Sequence, residues 1–193
     1  MLRFLGPFLL CVLVGCDPAP TSVAVNPYDP GLDFRPNILW LVAEDLSPIL
    51  PMYGDSTVET PNLSRLAAEG VVYDNFFSPS GVCSPSRAAI ATGMYPSSIG
   101  AHHMRTLSFG PYSPEGIPFY ECVPPPFVKM HSEYMRELGY YCTNNPKEDY
   151  QFRKSLMAWD ESSMKAHWRN RPNEAPFFSI FNFMVTHESQ VWA

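Results

Sequence analysis

The 193-residue sequence is poor in charge, and what charge it has is mostly acidic: 13 Lys and Arg against 19 Asp and Glu, a formal net charge of −6. Such a chain has no general electrostatic footprint for nucleic acid, so recognition of any anion must be local. Its five cysteines are too few and too scattered for the disulfide framework of small secreted domains. Nothing repeats at a fixed period. The apolar run from Phe4 to Val14 is too short to span a bilayer as a helix. In exchange the chain has 46% hydrophobic residues, 14% aromatics and 21 prolines. That is enough apolar material for one core with long ordered loops, and too much for a disordered chain.

The Phe4 to Val14 run follows a single positive residue, Arg3, and leads into Leu13-Val14-Gly15-Cys16. This fits a secretory signal peptide over residues 1–15. Its last four residues resemble the bacterial lipobox, which implies cleavage before Cys16, lipidation of Cys16 and a membrane anchor. The expected location is then the bacterial cell envelope, as a periplasmic or surface lipoprotein. Residues 16–35 are rich in proline and short polar residues and read as a tether, with globular sequence from Pro36. With Cys11 in the signal, Cys83, Cys122 and Cys142 remain. An oxidising compartment permits a Cys122–Cys142 bridge; whether the pair meets is left open.

Strand and helix signals alternate along the rest. "NILWLVA", Asn37 to Ala43, is a continuous apolar run ending at Glu44-Asp45, as for a strand buried on both faces of a parallel sheet. "TPNLSRLAAEG" reads as a helix with Thr60 as N-cap, Pro61 at the first position and Gly70 at the stop. Val71 to Phe77 is strand-like, and a helix follows Ser84, with Ser84 as N-cap and Pro85 as its first residue. "FVKMHSEYMRELG" places His131, Tyr134, Met135 and Leu138 at helical spacing. "YYCTNN" and the run from Phe177 to Val185 supply further strands. The expected fold is α/β, a largely parallel sheet flanked by helices on both faces.

In such sheets ligands bind beyond the carboxyl ends of the strands. Three polar groups follow buried strands: Glu44-Asp45, Asn144 to Asp149, and Thr186-His187-Glu188. Cys83 precedes its own helix, at the end where free N–H groups favour anions, with Arg87 four residues on. This arrangement suits a tetrahedral anion such as sulfate or phosphate. It equally suits a thiol of lowered pKa acting as nucleophile, or a small cysteine packed in a tight turn.

Cys83-Ser84-Pro85-Ser86-Arg87, followed by "AAIATG", resembles the signature of the type I sulfatases of the alkaline phosphatase-like superfamily. The wider context, "RPNILWLVAEDLSP", "TPNLSRLAAEGVVYDNFF" and "ATGMYP", resembles that family in order and spacing, most of all its bacterial polysaccharide-directed members. The resemblance covers Pro36 to the C-terminus. It implies that a formylglycine-generating or sulfatase-maturing enzyme oxidises Cys83 to formylglycine, whose hydrate attacks the sulfur of a sulfated carbohydrate. It implies calcium bound by Glu44, Asp45 and the modified Cys83, although the first of the acidic pair is more often aspartate in the family. Arg87, Lys147 and His187 match family residues that stabilise the nucleophile, bind sulfate and protonate the leaving oxygen. Asp149 stands where many members have a histidine.

Other residues carry weaker signals. His102, His103 and Arg105 lie where substrate-contacting loops could lie, and "KAHWRNRP" interleaves cations with Trp168. Family members continue past the strand that ends near His187, so residues 36–193 are expected to be the N-terminal part of a truncated catalytic domain, incomplete at its C-terminus and inactive alone. Two other readings stay open: a phosphonate or phosphodiester hydrolase of the same superfamily, and a non-catalytic anion- or glycan-binding remnant.

Overall fold

The computed structural model describes residues 35–106 and 115–191. The signal peptide, Cys16 and nearly all of the tether lie outside the described residues. Four strands, β1 (Ile38–Ala43), β2 (Tyr141–Asn145), β3 (Glu161–Ser162) and β4 (Phe177–Phe183), form one sheet in the order β1-β4-β2-β3. All three pairings are parallel; Ile38 faces Phe178 across the first and Tyr141 faces Phe177 across the second. Three α-helices accompany them among the described residues: α1 (Pro61–Glu69), α2 (Cys83–Thr92) and α3 (His131–Glu137). No described helix is long and apolar enough to cross a membrane.

The core lies between one face of the sheet and the pair α2 and α3. Alternation along the strands sends Trp40 from β1 and Phe178 from β4 to that face, where both rings meet His131 at centroid distances of 5.1 and 5.0 Å. Trp159 stacks on Phe178 at 6.0 Å, and Ala88, Ala91, Ile99 and Ile180 complete the packing. The opposite face of β4 meets a 3₁₀ turn at Trp168–Asn170, with Trp168 stacked on Phe177 at 5.1 Å. The outer face of β1 is open: Leu39 and Leu41 are about half exposed.

The structure departs from the sequence-based expectation in several places. Residues 71–77 form no strand; they have no ladder partner among the described residues, and Phe76 and Phe77 are exposed. β4 ends at Phe183, where Met184–Thr186 turns into a 3₁₀ helix instead of extending to Val185. Asn144 and Asn145 lie inside β2 rather than beyond it. Thr60 precedes α1 but makes no side-chain cap bond, and α1 buries none of its residues. The N-cap of α2 is Val82, and Cys83 is its first residue. Ser84 does not cap because its hydroxyl is committed to Asp149, and Pro85 is tolerated in the first turn, where an N–H has no helical partner. Gly93, at φ +68°, closes α2 and returns its N–H to Ala89 O at 2.8 Å, as a left-handed C-cap does.

Cys83, Cys122 and Cys142 are all free thiols. Cys122 Sγ lies 2.7 Å from Ile99 O and Cys142 Sγ 3.6 Å from Ser132 O, so the two buried thiols point into separate surroundings and form no bridge. Burial pushes the Cys142 thiol up to about 12, which leaves it protonated and unreactive.

Candidate active site

Because the strands are parallel, their carboxyl ends open on one side of the sheet, and the polar groups after β1, β2 and β4 converge there. At the centre is Arg87, one turn into α2 and only 7% exposed. Its Nη1 donates to Glu44 Oε1 at 2.8 Å and to Asn182 Oδ1 at 3.0 Å. Its Nε and Nη2 donate to the carbonyls of Glu148 and Lys147 at 2.7 and 2.5 Å. The guanidinium fork thus ties α2 to the ends of β1, β2 and β4 at once, which a lysine's point charge could not do.

Lys147 approaches from the other side. Its Nζ lies 2.9 Å from Glu44 Oε2 and 3.6 Å from Asp149 Oδ2, and its side chain is 10% exposed. Glu44, 6% exposed, is therefore an acid held between two cations, the arrangement that makes a buried carboxylate tolerable. Burial pushes the nearby Tyr150 phenol up to about 12; its ring lies 6.0 Å from the Arg87 guanidinium.

Asp45 and Asp149 both sit in the left-handed region, at φ 51° and 46°, a strained position that aspartate accepts better than most residues. Asp45 Oδ2 accepts from the Glu188 N–H at 2.9 Å, and the Thr186 hydroxyl donates to the Glu44 carbonyl. His187 is consequently bracketed by two residues fastened to the acidic pair. Its Nδ1 accepts from the Ser189 N–H at 3.1 Å. The same Nδ1 lies 2.8 Å from the Ser189 hydroxyl.

The structure brings together Glu44, Arg87, Lys147 and Asp149 through ion pairs, with Cys83 on the turn that carries Arg87; Asp45 and His187 stand at the same strand ends, but the hydrogen bonds of the His187 ring go to Ser189. It does not bring in His102 or His103. Both are exposed; His103 packs on Tyr120 at 4.6 Å and its Nδ1 meets the carbonyl of Met104. From that loop it is Arg105 that reaches the cluster, at 2.7 Å from Asp149 Oδ1. Trp168 is taken up by packing, with Phe177 stacked on it and Arg169 and Arg171 at 4.7 and 5.3 Å. Asn182 was not anticipated. It is buried on β4, accepts from Arg87 and donates to Asn144 Oδ1 at 3.1 Å; its one sequence signal is a lone amide inside "FFSIFNF".

A hard cation such as calcium takes six to eight oxygen ligands. Both Glu44 oxygens are already on cations, and one Asp45 oxygen is on a backbone N–H. No group of three His, Cys, Asp or Glu among the described residues could hold a metal. The expected set of Glu44, Asp45 and Cys83 therefore does not make a calcium site by itself.

Residues 36–124 match the family model described as Sulfatase. Over 155 residues the chain is 65% identical to an ulvan-active sulfatase of Formosa agariphila, covering 80% of this chain and 26% of that protein. It is 41% identical over 99 residues to N-acetylgalactosamine-6-sulfatase of Homo sapiens, covering 49% of this chain and 19% of that one. A solved structure of a protein bound to its substrate, D-glucosamine-2-N,6-O-disulfate, superposes with a TM-score of 0.60 at 19% identity, covering 80% of this chain and 35% of the other. That likeness shows a shared fold. The chain thus spans about a fifth to a quarter of the length of these curated relatives.

Proposed function

Residues 36–124 match the Sulfatase family model, and from that premise we propose that the protein is a sulfuric ester hydrolase acting on sulfated carbohydrate. The observation that carries the reading is the placement of Cys83 at the first position of α2, one turn ahead of Arg87, with Lys147 on the same carboxylate as Arg87. Relatives named as carbohydrate-directed sulfatases support the substrate class.

Oxidised to formylglycine by a maturing enzyme, position 83 supplies a hydrated carbonyl whose hydroxyl is the nucleophile toward sulfur. The remaining roles belong to side chains in the structure. The first turn of α2 presents unpaired N–H groups to the sulfuryl oxygens. Arg87 holds the turn that carries Cys83 against the ends of three strands. Lys147 keeps a positive charge beside the same turn, where negative charge grows on the sulfuryl group. His187, just past the end of β4, is the proton donor to the leaving alcohol oxygen, giving up the proton of its imidazolium form. Asp149 is paired with cations and takes no part as a base.

Two further parts of the reading rest on less. Calcium dependence holds only where further oxygen donors join Glu44 and Asp45; chelation and calcium add-back on the whole protein decide it. Lipidation of Cys16 and envelope location follow from the lipobox resemblance, and Cys16→Ser should release the protein from the membrane fraction.

The test is made on the whole protein from its own host. Mass spectrometry of the peptide across Cys83 should find the aldehyde, and an aryl sulfate should turn over faster than a phosphodiester. An unmodified thiol throughout would point to a binding protein, and faster phosphodiester turnover would sink the sulfatase assignment.

A further inference from the structure

The side chain that completes the cluster without belonging to the sulfatase signature is Arg105. Its Nη1 donates to Asp149 Oδ1 at 2.7 Å, and its Nη2 donates to Ser84 Oγ at 2.7 Å and to the Tyr150 carbonyl at 2.6 Å. Ser84 in turn donates to the Asp149 carbonyl at 2.9 Å. The result is a closed ring of Arg105, Ser84 and Asp149. Ser84 is fully buried next to Cys83, and Asp149 lies two residues from Lys147.

We propose that Arg105 is a positioning residue for this site: it clasps the first turn of α2 to the 147–150 loop, fixing the distance between the Cys83 nucleophile position and Lys147. The inference rests on the sulfate-ester reading for its chemistry and on geometry alone for the clasp. Three features favour it. The guanidinium uses its planar fork, which no other cation type supplies. Asp149 is held at φ +46°, a conformation that persists only where its surroundings over-determine it, and the clasp restrains both its carboxylate and the next carbonyl. The pair is also partly sheltered, with Arg105 26% and Asp149 19% exposed, unlike a solvated surface pair. Asp149, at the place of a family histidine, is thereby an anchor for Arg105.

The experiment compares wild type with Arg105→Met, Arg105→Lys and Asp149→Asn in the whole matured protein. Two quantities are read: amide hydrogen exchange over residues 83–87 and 147–150, and kcat and KM on an aryl sulfate. Arg105→Met should speed exchange in both segments together. It should lower kcat by about 100-fold, the cost of misplacing reacting groups by about an ångström, with a much smaller change in KM. Free guanidinium ion should recover part of that loss. Arg105→Lys, which makes fewer of the three contacts, should fall between, and Asp149→Asn, which keeps shape and tolerates the backbone angle, should resemble it if Arg105→Met does not fold. Unchanged exchange at 147–150 would overturn the clasp whatever the activity. Faster exchange with unchanged kcat would make Arg105 structural and overturn the positioning role. An inactive wild type would sink the sulfatase reading, while the exchange result still decides the clasp.

Discussion

Glu44 has two cations within 3 Å and almost no water. Removing its charge leaves Arg87 and Lys147 facing each other across a buried space. Glu44→Gln should therefore cost about 3–5 kcal/mol, the range for breaking a buried pair. Glu137→Gln, which breaks the exposed pair with Lys129 at 2.6 Å, should cost less than about 1 kcal/mol. Urea denaturation of both variants checks the contrast. His131 gives a pH dependence. Burial holds its imidazole below the usual value of 6.5, inside a cage of Trp40, Trp159 and Phe178. The unfolded chain then binds the proton more readily. Stability contributed by the neutral ring is present above the usual value and falls as pH drops through it, the loss being complete at the lower folded value. His131→Phe should flatten the urea midpoint between pH 7 and 5 relative to wild type. The positions of Glu44, Arg87, Lys147 and His187 were legible because each lies at or just past a strand end or helix start, whereas the roles expected of Lys147 and His187 came from the family resemblance. Asn182 was not legible as a site residue, because a lone amide inside an apolar strand carries no signal of its partner Arg87, 95 positions away; Arg105 was legible as a loop residue beside His102 and His103, but not as the partner of Asp149.

At the scale of elements, β1 and β4 were readable as apolar runs, α2 from the turn chemistry at its start, and α3 from the helical spacing of His131, Tyr134 and Met135. Residues 71–77 carry the same composition, yet a strand exists only where a neighbour supplies its ladder. β3, two residues long, leaves no periodicity to detect. The start of α2 was misplaced because Ser84 has the chemistry of a cap and is used elsewhere. The end of α2 offers a clean test. A Cβ at Gly93 would meet nothing within 4 Å, so Gly93→Ala pays for backbone conformation alone. The expected loss is about 1–2 kcal/mol, seen as a Tm lowered by roughly 2–4 °C per kcal/mol. Turnover by the whole protein should not change, because the C-cap lies at the far end of α2 from Cys83.

Across the whole molecule, apolar surface is unevenly placed. Leu39 and Leu41 face outward on edge strand β1, Leu66 is 60% exposed on α1, and Phe76 and Phe77 exceed 80%. Surface of this kind on a sheet edge favours association. The 193-residue chain alone should sediment as concentration-dependent assemblies, and Leu41→Lys together with Phe77→Ser should shift it toward monomer. A sedimentation-velocity series would show no such shift if those faces were inert.

The strand order carries a consequence in time. Among the described strands β1 is made first and β4 last, yet they are partners in the sheet, and Asn37 bonds Phe177 across 140 positions. Long-range pairing of this kind slows folding, because loop entropy is lost before contacts repay it. A growing chain that has already made Glu44, Cys83 and Arg87 has nowhere to seat them until Asn182 emerges. The cluster of Glu44, Arg87 and Asn182 therefore cannot form on a nascent chain from which β4 has not yet emerged.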